Sequence, residues 1–293
     1  MNGSPEKVRV WLPVPREHGA WGMLAQPFLA ALVVVALRGE GRHWMGAIPS
    51  MAAAALVFLI REPLLVLARQ KWVWRDAGGK RPETAVARRW VAIEALALLA
   101  SGAWLLAVWP VRLAATLLLV GGVGAAALTG LAVYVTIRNK QRSIWFQGLS
   151  AAGLSASGLA ACLAVTGRVP EWGWWWWGLH AAHFLAGILV VHVRLEARIA
   201  ARRGRGMPPE FFKARQQTAI VQAVFLAAGL AMLAMGKEWY AGAAVASAAW
   251  HLYNLYAART PAAVMMPMTS VGKRALAASI VFTIVAGAGA VLS

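Results

Sequence analysis

The sequence predicts an all-α, polytopic bundle of about nine membrane-spanning helices, and three observations carry the prediction. The first is composition: of 293 residues, 60% are hydrophobic and only 14% charged, against roughly 25% charged in soluble domains. The second is arrangement. The apolar residues fall in blocks of about 20 separated by short charged segments, the length a helix needs to cross the hydrocarbon layer. The third is charge asymmetry. Of 29 Lys and Arg residues, twenty-three fall on one alternating set of connections and five on the other, with Arg61 inside a block. The positive-inside rule places the richer set, and the amino terminus, in the cytoplasm. An odd number of spans puts the carboxyl terminus outside.

The blocks run in order. The first, 19–37, is followed by no small-residue cleavage segment, so it reads as a retained span and not a signal peptide. The second, 46–67, contains Arg61-Glu62-Pro63. The third and fourth, 89–108 and 113–135, are split by the turn signal Trp109-Pro110. The fifth, 146–165, holds the single cysteine, Cys162, read as a small buried hydrophobe. The sixth, 175–193, opens on Trp172, Trp174, Trp175, Trp176 and Trp177, read as an interfacial aromatic belt, with a stacking site as the alternative. The seventh, eighth and ninth are 217–235, 239–257 and 272–291. Small residues such as Gly287-Ala288-Gly289-Ala290 permit close helix approach.

Two connections, 68–88 and 194–216, are longer than the rest, basic and glycine-containing (Gly78-Gly79, Gly204, Gly206). They lie four spans apart. Within a single membrane domain, spans 1–4 and 5–8 therefore read as two halves of similar layout, with span 9 added. The net charge of +18 sits in these connections. It points to anionic membrane lipids as partners and not to nucleic acid, for which no motif is present.

Ionisable groups in hydrocarbon are costly and mark function. Arg61 and Glu62 are neighbours about 100° apart on a helix, so each is expected to need another partner. Pro63 is expected to kink the helix there. Together they predict the floor of an inward-opening cavity. Glu94 lies about one turn inside span 3. His192 and Glu196, four apart, share a face. His180 and His183 read as hydrogen-bonded packing; an HxxH pair is weak evidence for a metal or haem. Asp76 is the only aspartate, and no P-loop, dinucleotide fingerprint, zinc-protease motif or serine elbow is present. No residue is assigned to a metal, and no cofactor-binding residue is identified.

Pro15-Arg16-Glu17-His18-Gly19-Ala20-Trp21 with Pro27-Phe28, and then Arg61-Glu62-Pro63-Leu64-Leu65, resemble the two signature regions of the YwiC-like family of bacterial membrane proteins. The resemblance is expected to cover the whole chain and implies the bacterial cytoplasmic membrane. In layout the chain also resembles the UbiA-type intramembrane prenyltransferases. Val133-Tyr134-Val135-Thr136-Ile137-Arg138-Asn139-Lys140 is similar to their tyrosine-to-lysine stretch between helices 4 and 5. That resemblance implies an isoprenoid or lipid-like ligand and magnesium held by two aspartate-rich motifs. The corresponding regions here offer only Glu62 and Asp76, then Glu196 and Glu210. Clustered oxygen ligands for magnesium are therefore missing from the pattern.

Three functions fit these residues. In the first, a divergent prenyltransferase-like protein handles an isoprenoid or lipid. Arg61, Arg69, Lys71, Tyr134, Lys140, Arg194 and Glu196 would contact the substrate, and Glu62 or Glu17, with His18, would supply a catalytic base. In the second, a permease carries a small anionic solute, with Glu62, Glu94 or histidines carrying protons. The third is a non-catalytic membrane assembly factor.

Overall fold

The structure, a computed structural model, describes residues 18–74, 82–110, 115, 117–203, 207–260 and 264–292. It is all-α. Ten helices are found among the described residues: α1 (His18–Leu37), α2 (Ala47–Trp72), α3 (Pro82–Val108), α4 (Gly122–Ile137), α5 (Ile144–Ser155), α6 (Ser157–Thr166), α7 (Glu171–Arg202), α8 (Pro209–Ala234), α9 (Glu238–Ala257) and α10 (Met268–Leu292). A 3-10 turn, Trp44–Gly46, precedes α2, and a π-helical turn, Leu117–Gly121, leads into α4.

Seven helical stretches among the described residues are long and apolar enough to cross a membrane: 19–37, 44–72, 82–108, 118–137, 144–166, 209–234 and 268–292. The protein is thus a multi-span helical membrane protein. The sixth and eighth blocks, which form α7 and α9, are absent from that set. They carry Trp, His and Tyr side chains that lower their hydropathy, several of which are turned into the protein: Trp176, His180, His183, Tyr240 and His251 are buried.

Helices reach further into the long connections than the apolar pattern implies. Pro82 starts α3 with Glu83 in its first turn, where a missing N–H costs nothing and a negative charge meets the positive helix end. Glu94 therefore lies about three turns into its helix, not one. At the other long connection α7 runs on to Arg202, and Pro209 opens α8.

Helix ends follow local chemistry. After α4, Asn139 takes a left-handed backbone (φ 53°), with Asn139 N–H donating to Thr136 O and Lys140 N–H to Val135 O. This pair of bonds closes the helix by satisfying its last carbonyls. Gly39 and Gly236, both at positive φ, close α1 and α8 with the same two bonds.

The chain divides into two compact units, residues 43–146 (unit 1) and residues 19–42 with 147–293 (unit 2). In unit 1, Thr84 donates a hydrogen bond to Gln70 (3.2 Å), setting the register of the antiparallel α2–α3 pair. At the same end of α2, Leu65 and Ala68 pack against Val133 of α4, flanked by Leu64 and Ile137.

In unit 2, α1 is held by polar bonds far along the chain. Gln26 donates to Ser279 O (2.8 Å) and accepts from Ser279 Oγ (3.0 Å). Ser157 donates to Leu24 O (2.6 Å), and Trp176 Nε1 to Pro27 O (3.2 Å). The span formed by α5 and α6 is broken at Ala156, and Trp177 Nε1 donates to the carbonyl of Ala152 there (2.9 Å).

The tryptophan cluster is therefore not simply a belt, as the sequence reading has it. Trp172 and Trp176 are 4% and 0% exposed, whereas Trp174 is exposed. The reason is that their indole N–H groups find carbonyl and carboxylate acceptors inside the protein.

Beyond α1, Arg38 donates to the carbonyl of Ala290 in the last turn of α10 (2.6 Å) and pairs with Glu40 (2.6 Å). A cation on orphan carbonyls is favourable at a helix carboxyl end. Trp172 Nε1 also donates to Glu40 (3.3 Å). Burial alone pushes the Glu40 carboxyl up, but hydrogen bonds from Arg38 and Trp172 and the charges of Arg38 and Arg168 outweigh it and hold the group below its ordinary value. Folding therefore binds fewer protons here. The stability this gives is fully present above the unfolded carboxyl's range and is lost as pH falls through the lowered folded value. Thermal unfolding should be insensitive to pH from about 7 to about 5, then weaken below about 4. Glu40→Gln should flatten part of that acid limb; an unchanged limb would show that the contact contributes nothing.

Candidate functional site

Of the residues singled out from sequence, Glu17 lies outside the described residues, as does Asp76, and His18 begins α1. In unit 1 the Arg61–Glu62 pair departs from expectation. Arg61 Nη2 lies 2.8 Å and Nε 3.2 Å from Glu62 Oε1, so the two neighbours pair with each other. The long arginine stem folds back across the offset between adjacent positions, and its guanidinium also lies 5.5 Å from the Phe58 ring centre. Both side chains are about a quarter exposed. Helix α2 is continuous through Pro63 from Ala47 to Trp72.

The Gln70–Thr84 bond fixes depth. Arg61 lies about 13 Å from it along α2, and Glu94 about 15 Å from it along α3. The two thus sit at the same level of the hairpin. Glu94 is 4% exposed, and among the described residues its Oε2 has no hydrogen-bond partner.

At the carboxyl ends of α2 and α4 the sequence candidates do converge. Tyr134 and Lys140 line one groove of about 520 Å³ together with Leu131, Val135, Arg138 and Trp145. The Asn139 turn makes the groove. It stops α4 and starts the turn that leads to α5, leaving Arg138 and Lys140 exposed on either side. The Arg138 guanidinium lies 5.6 Å from the centre of the Tyr134 ring. Arg69 and Lys71 occupy the last turn of α2, whose neighbouring Leu65 and Ala68 pack on this same end of α4. The site is basic and aromatic, with exposed Tyr134 and Trp145 rings beside the charges. Arg138 and Trp145 are additions to the sequence candidates. The left-handed preference of Asn139 is the signal that finds them.

Arg194 and Glu196 belong to unit 2. Arg194 is 6% exposed, its Nη2 donates to Asn254 Oδ1 (2.8 Å), and its Nε has no partner among the described residues. His192, expected beside Glu196, has its Nδ1 3.0 Å from Gln147 Nε2. The buried histidines of α7 make hydrogen bonds within unit 2. His180 reaches Trp176 O (2.9 Å) and Thr283 Oγ1 (3.1 Å), and His183 reaches Ser247 Oγ (2.7 Å). His183 stacks on Phe282 at 4.2 Å, with the His251 ring 5.1 Å away.

Among the described residues no three His, Cys, Asp or Glu side chains come together as metal ligands. Glu62 is already engaged by Arg61. The donor set for magnesium that the UbiA-type resemblance implies does not fit these residues.

Gln222 of α8 is fully buried, and neither polar atom of its amide has a partner among the described residues; the same holds for His251 Nε2. Gly229 of α8 lies against Ala244 of α9. Gln222 and His251 are each two turns from that contact in the same direction, so they lie at the same level of the antiparallel pair. Such atoms call for a bridging water or a polar ligand. With the amide left unpartnered, Gln222→Leu should stabilise the protein by about 1 kcal/mol, because a buried unsatisfied group is removed. A loss of stability, read from thermal unfolding in detergent, would show that the amide has a partner.

The family model for YwiC-like protein matches residues 14–162. The match covers half of the chain rather than all of it, ending in α6, and it includes the Arg61–Glu62 pair and the whole basic groove. No curated protein and no solved structure matches. The membrane-spanning helices and this match together place the chain in the YwiC-like family.

Proposed function

We propose that this protein binds an anionic, isoprenoid- or lipid-like molecule at the cytoplasmic end of unit 1, in the manner of a divergent prenyltransferase. The observation that carries the reading is the groove in which Tyr134, Arg138, Lys140 and Trp145 meet, beside Arg69 and Lys71 at the end of α2. Four cations, two at the end of α2 and two beyond the end of α4, attract a phosphate or diphosphate headgroup, and the aromatic rings offer an apolar platform at headgroup level. Protein charge would here hold the headgroup that metal ions hold in the UbiA-type enzymes. Glu62, oriented by Arg61, is the base within the same unit; Glu17 and His18 are the further candidates. Arg194 and Glu196 belong to this reading as the corresponding basic region of unit 2. The nine-span layout in two halves plus a last helix belongs to it as well, as does the inward amino terminus.

Incubation of the purified protein with labelled prenyl diphosphates and assorted acceptors, with and without magnesium, tests the proposal. Binding that needs no magnesium is the expected result. Neither binding nor turnover in either condition would end the reading.

One observation favours transport of a small anion as a second reading. Glu94 is buried within a span with an unpartnered oxygen, the arrangement of a proton-carrying carboxyl. Proteoliposome flux that requires Glu94 and collapses in Glu94→Gln would support it; flux indifferent to that change would count against it.

The Arg61–Glu62 pair gives a test common to both readings. Arg61→Leu leaves a carboxylate in a span and should destabilise by about 1–3 kcal/mol, discounted for partial exposure. The double change with Glu62→Leu should recover much of that loss while abolishing function. A double variant with normal function would remove both residues from the site.

A further inference from the structure

Unit 2 carries a second feature that does not rest on the unit 1 groove. Between α9 and α10 lies a groove of about 400 Å³, with Trp250, Val281 and Phe282 among its walls, His183 and Ser247 at its deep end and Arg274 at its mouth. From Arg274 to Phe282 is about 12 Å along α10, room for a substantial part of an acyl chain. Its walls are mostly apolar, and its one exposed charge is at one end.

Arg194 adds to that end. Its guanidinium bonds Asn254, whose own amide donates to the carbonyl of Trp250, a wall residue (both 2.8 Å). Arg274 is close enough for the two guanidinium charges to repel. Arg194 is buried, and among the described residues its hydrogen bond is to a neutral amide while its Nε has no partner. A cation with so little compensation, next to another of the same sign, is costly unless an anion completes the site. A phosphate group against Arg274 and Arg194 would balance both charges, and its chain would fill the apolar groove above.

We infer that the α9–α10 groove of unit 2 holds an anionic phospholipid, its phosphate on Arg274 and Arg194 and one acyl chain along Trp250 and Phe282. The requirement is chemical: one negative headgroup joined to a hydrocarbon chain. Neither free phosphate nor a neutral lipid meets it.

Native mass spectrometry of the full chain, with phosphatidylglycerol and phosphatidylcholine of identical chains, tests the site. Phosphatidylglycerol should be retained at least tenfold more strongly. Arg274→Gln, at an exposed position that leaves the fold intact, should remove most of that preference, and the double variant with Arg194→Gln the remainder. Ala278→Trp, which fills the groove, should reduce retention of both lipids. Lys237→Gln, on a different connection, should change nothing.

Equal retention of the two lipids would overturn the inference. So would unaltered preference in an Arg274→Gln variant that melts like the parent, or displacement of the lipid by equimolar inorganic phosphate. Failure here leaves the prenyl diphosphate test readable, because Arg274→Gln, Ala278→Trp and Lys237→Gln alter no residue of that reading.

Discussion

Replacing Trp176 with alanine should cost about 3–5 kcal/mol and leave unit 2 unable to hold its first helix. Trp176 is fully buried, and its neighbours come from three other helices. Its Nε1 donates to Pro27 O of α1, Gly158 of α6 lies against its ring, and Gly287 of α10 is in van der Waals range. Helices in a bilayer gain nothing from hiding apolar surface, because lipid is equally apolar, so close packing and hydrogen bonds must hold them together. A tryptophan that supplies both for three neighbours has no replacement.

The complementary change acts from the other side. A Cβ at Gly158 would sit 2.9 Å from Trp176 Cδ1 and Nε1 and 3.2 Å from Pro27 O. The ring cannot swing away, because it is enclosed and its N–H is engaged. Gly158→Ala should cost about 1–3 kcal/mol and Gly158→Leu more. Thermal unfolding in detergent, with protease sensitivity of α1 as a second readout, checks both. A Gly158→Leu protein that melts like the parent would show that the three-helix contact is not tight.

The second large effect concerns binding. Neutralising Arg69, Lys71, Arg138 and Lys140 together should weaken binding of a prenyl diphosphate, or of anionic vesicles, on the order of 100- to 1,000-fold. The basis is about 1 kcal/mol for each cation near an anionic surface. The parent's affinity should also fall steeply with added salt, and the variant's should not, because screening acts on the charges that were removed. Lys71, Arg138 and Lys140 are exposed, so the fold should survive. Undiminished affinity in a well-folded quadruple variant would exclude the unit 1 groove as the anion site.

Parts of the molecule were readable from sequence because they depend on short-range chemistry. The apolar blocks became helices, and Gly39, Asn139 and Gly236 ended three of them where residues tolerant of a left-handed backbone occur. Tyr134 and Lys140 met because one turn separates them. Other parts were hidden. A spanning helix is apolar on its lipid face and its protein face alike, so periodicity does not reveal which side is buried. That is why Trp176 read as a belt residue. The pairing of Arg61 with Glu62 was missed for a different reason: backbone angles exclude it, but a six-atom side chain can bend around them. Arg38 read only as a charge on the poorer side, since its acceptor, Ala290 O, lies at the far end of the chain.

The attachment of α1 to helices near the carboxyl end sets a timetable for biogenesis. Gln26 and its acceptor on Ser279 are 253 residues apart. At 5–20 residues per second of synthesis, the first helix waits roughly 13–50 s for its last partner to emerge. During that interval a glutamine amide must be harboured by lipid headgroups, the insertion machinery or a transient neighbour. A chain that stops before the final helix therefore leaves the Gln26 amide without its Ser279 partner.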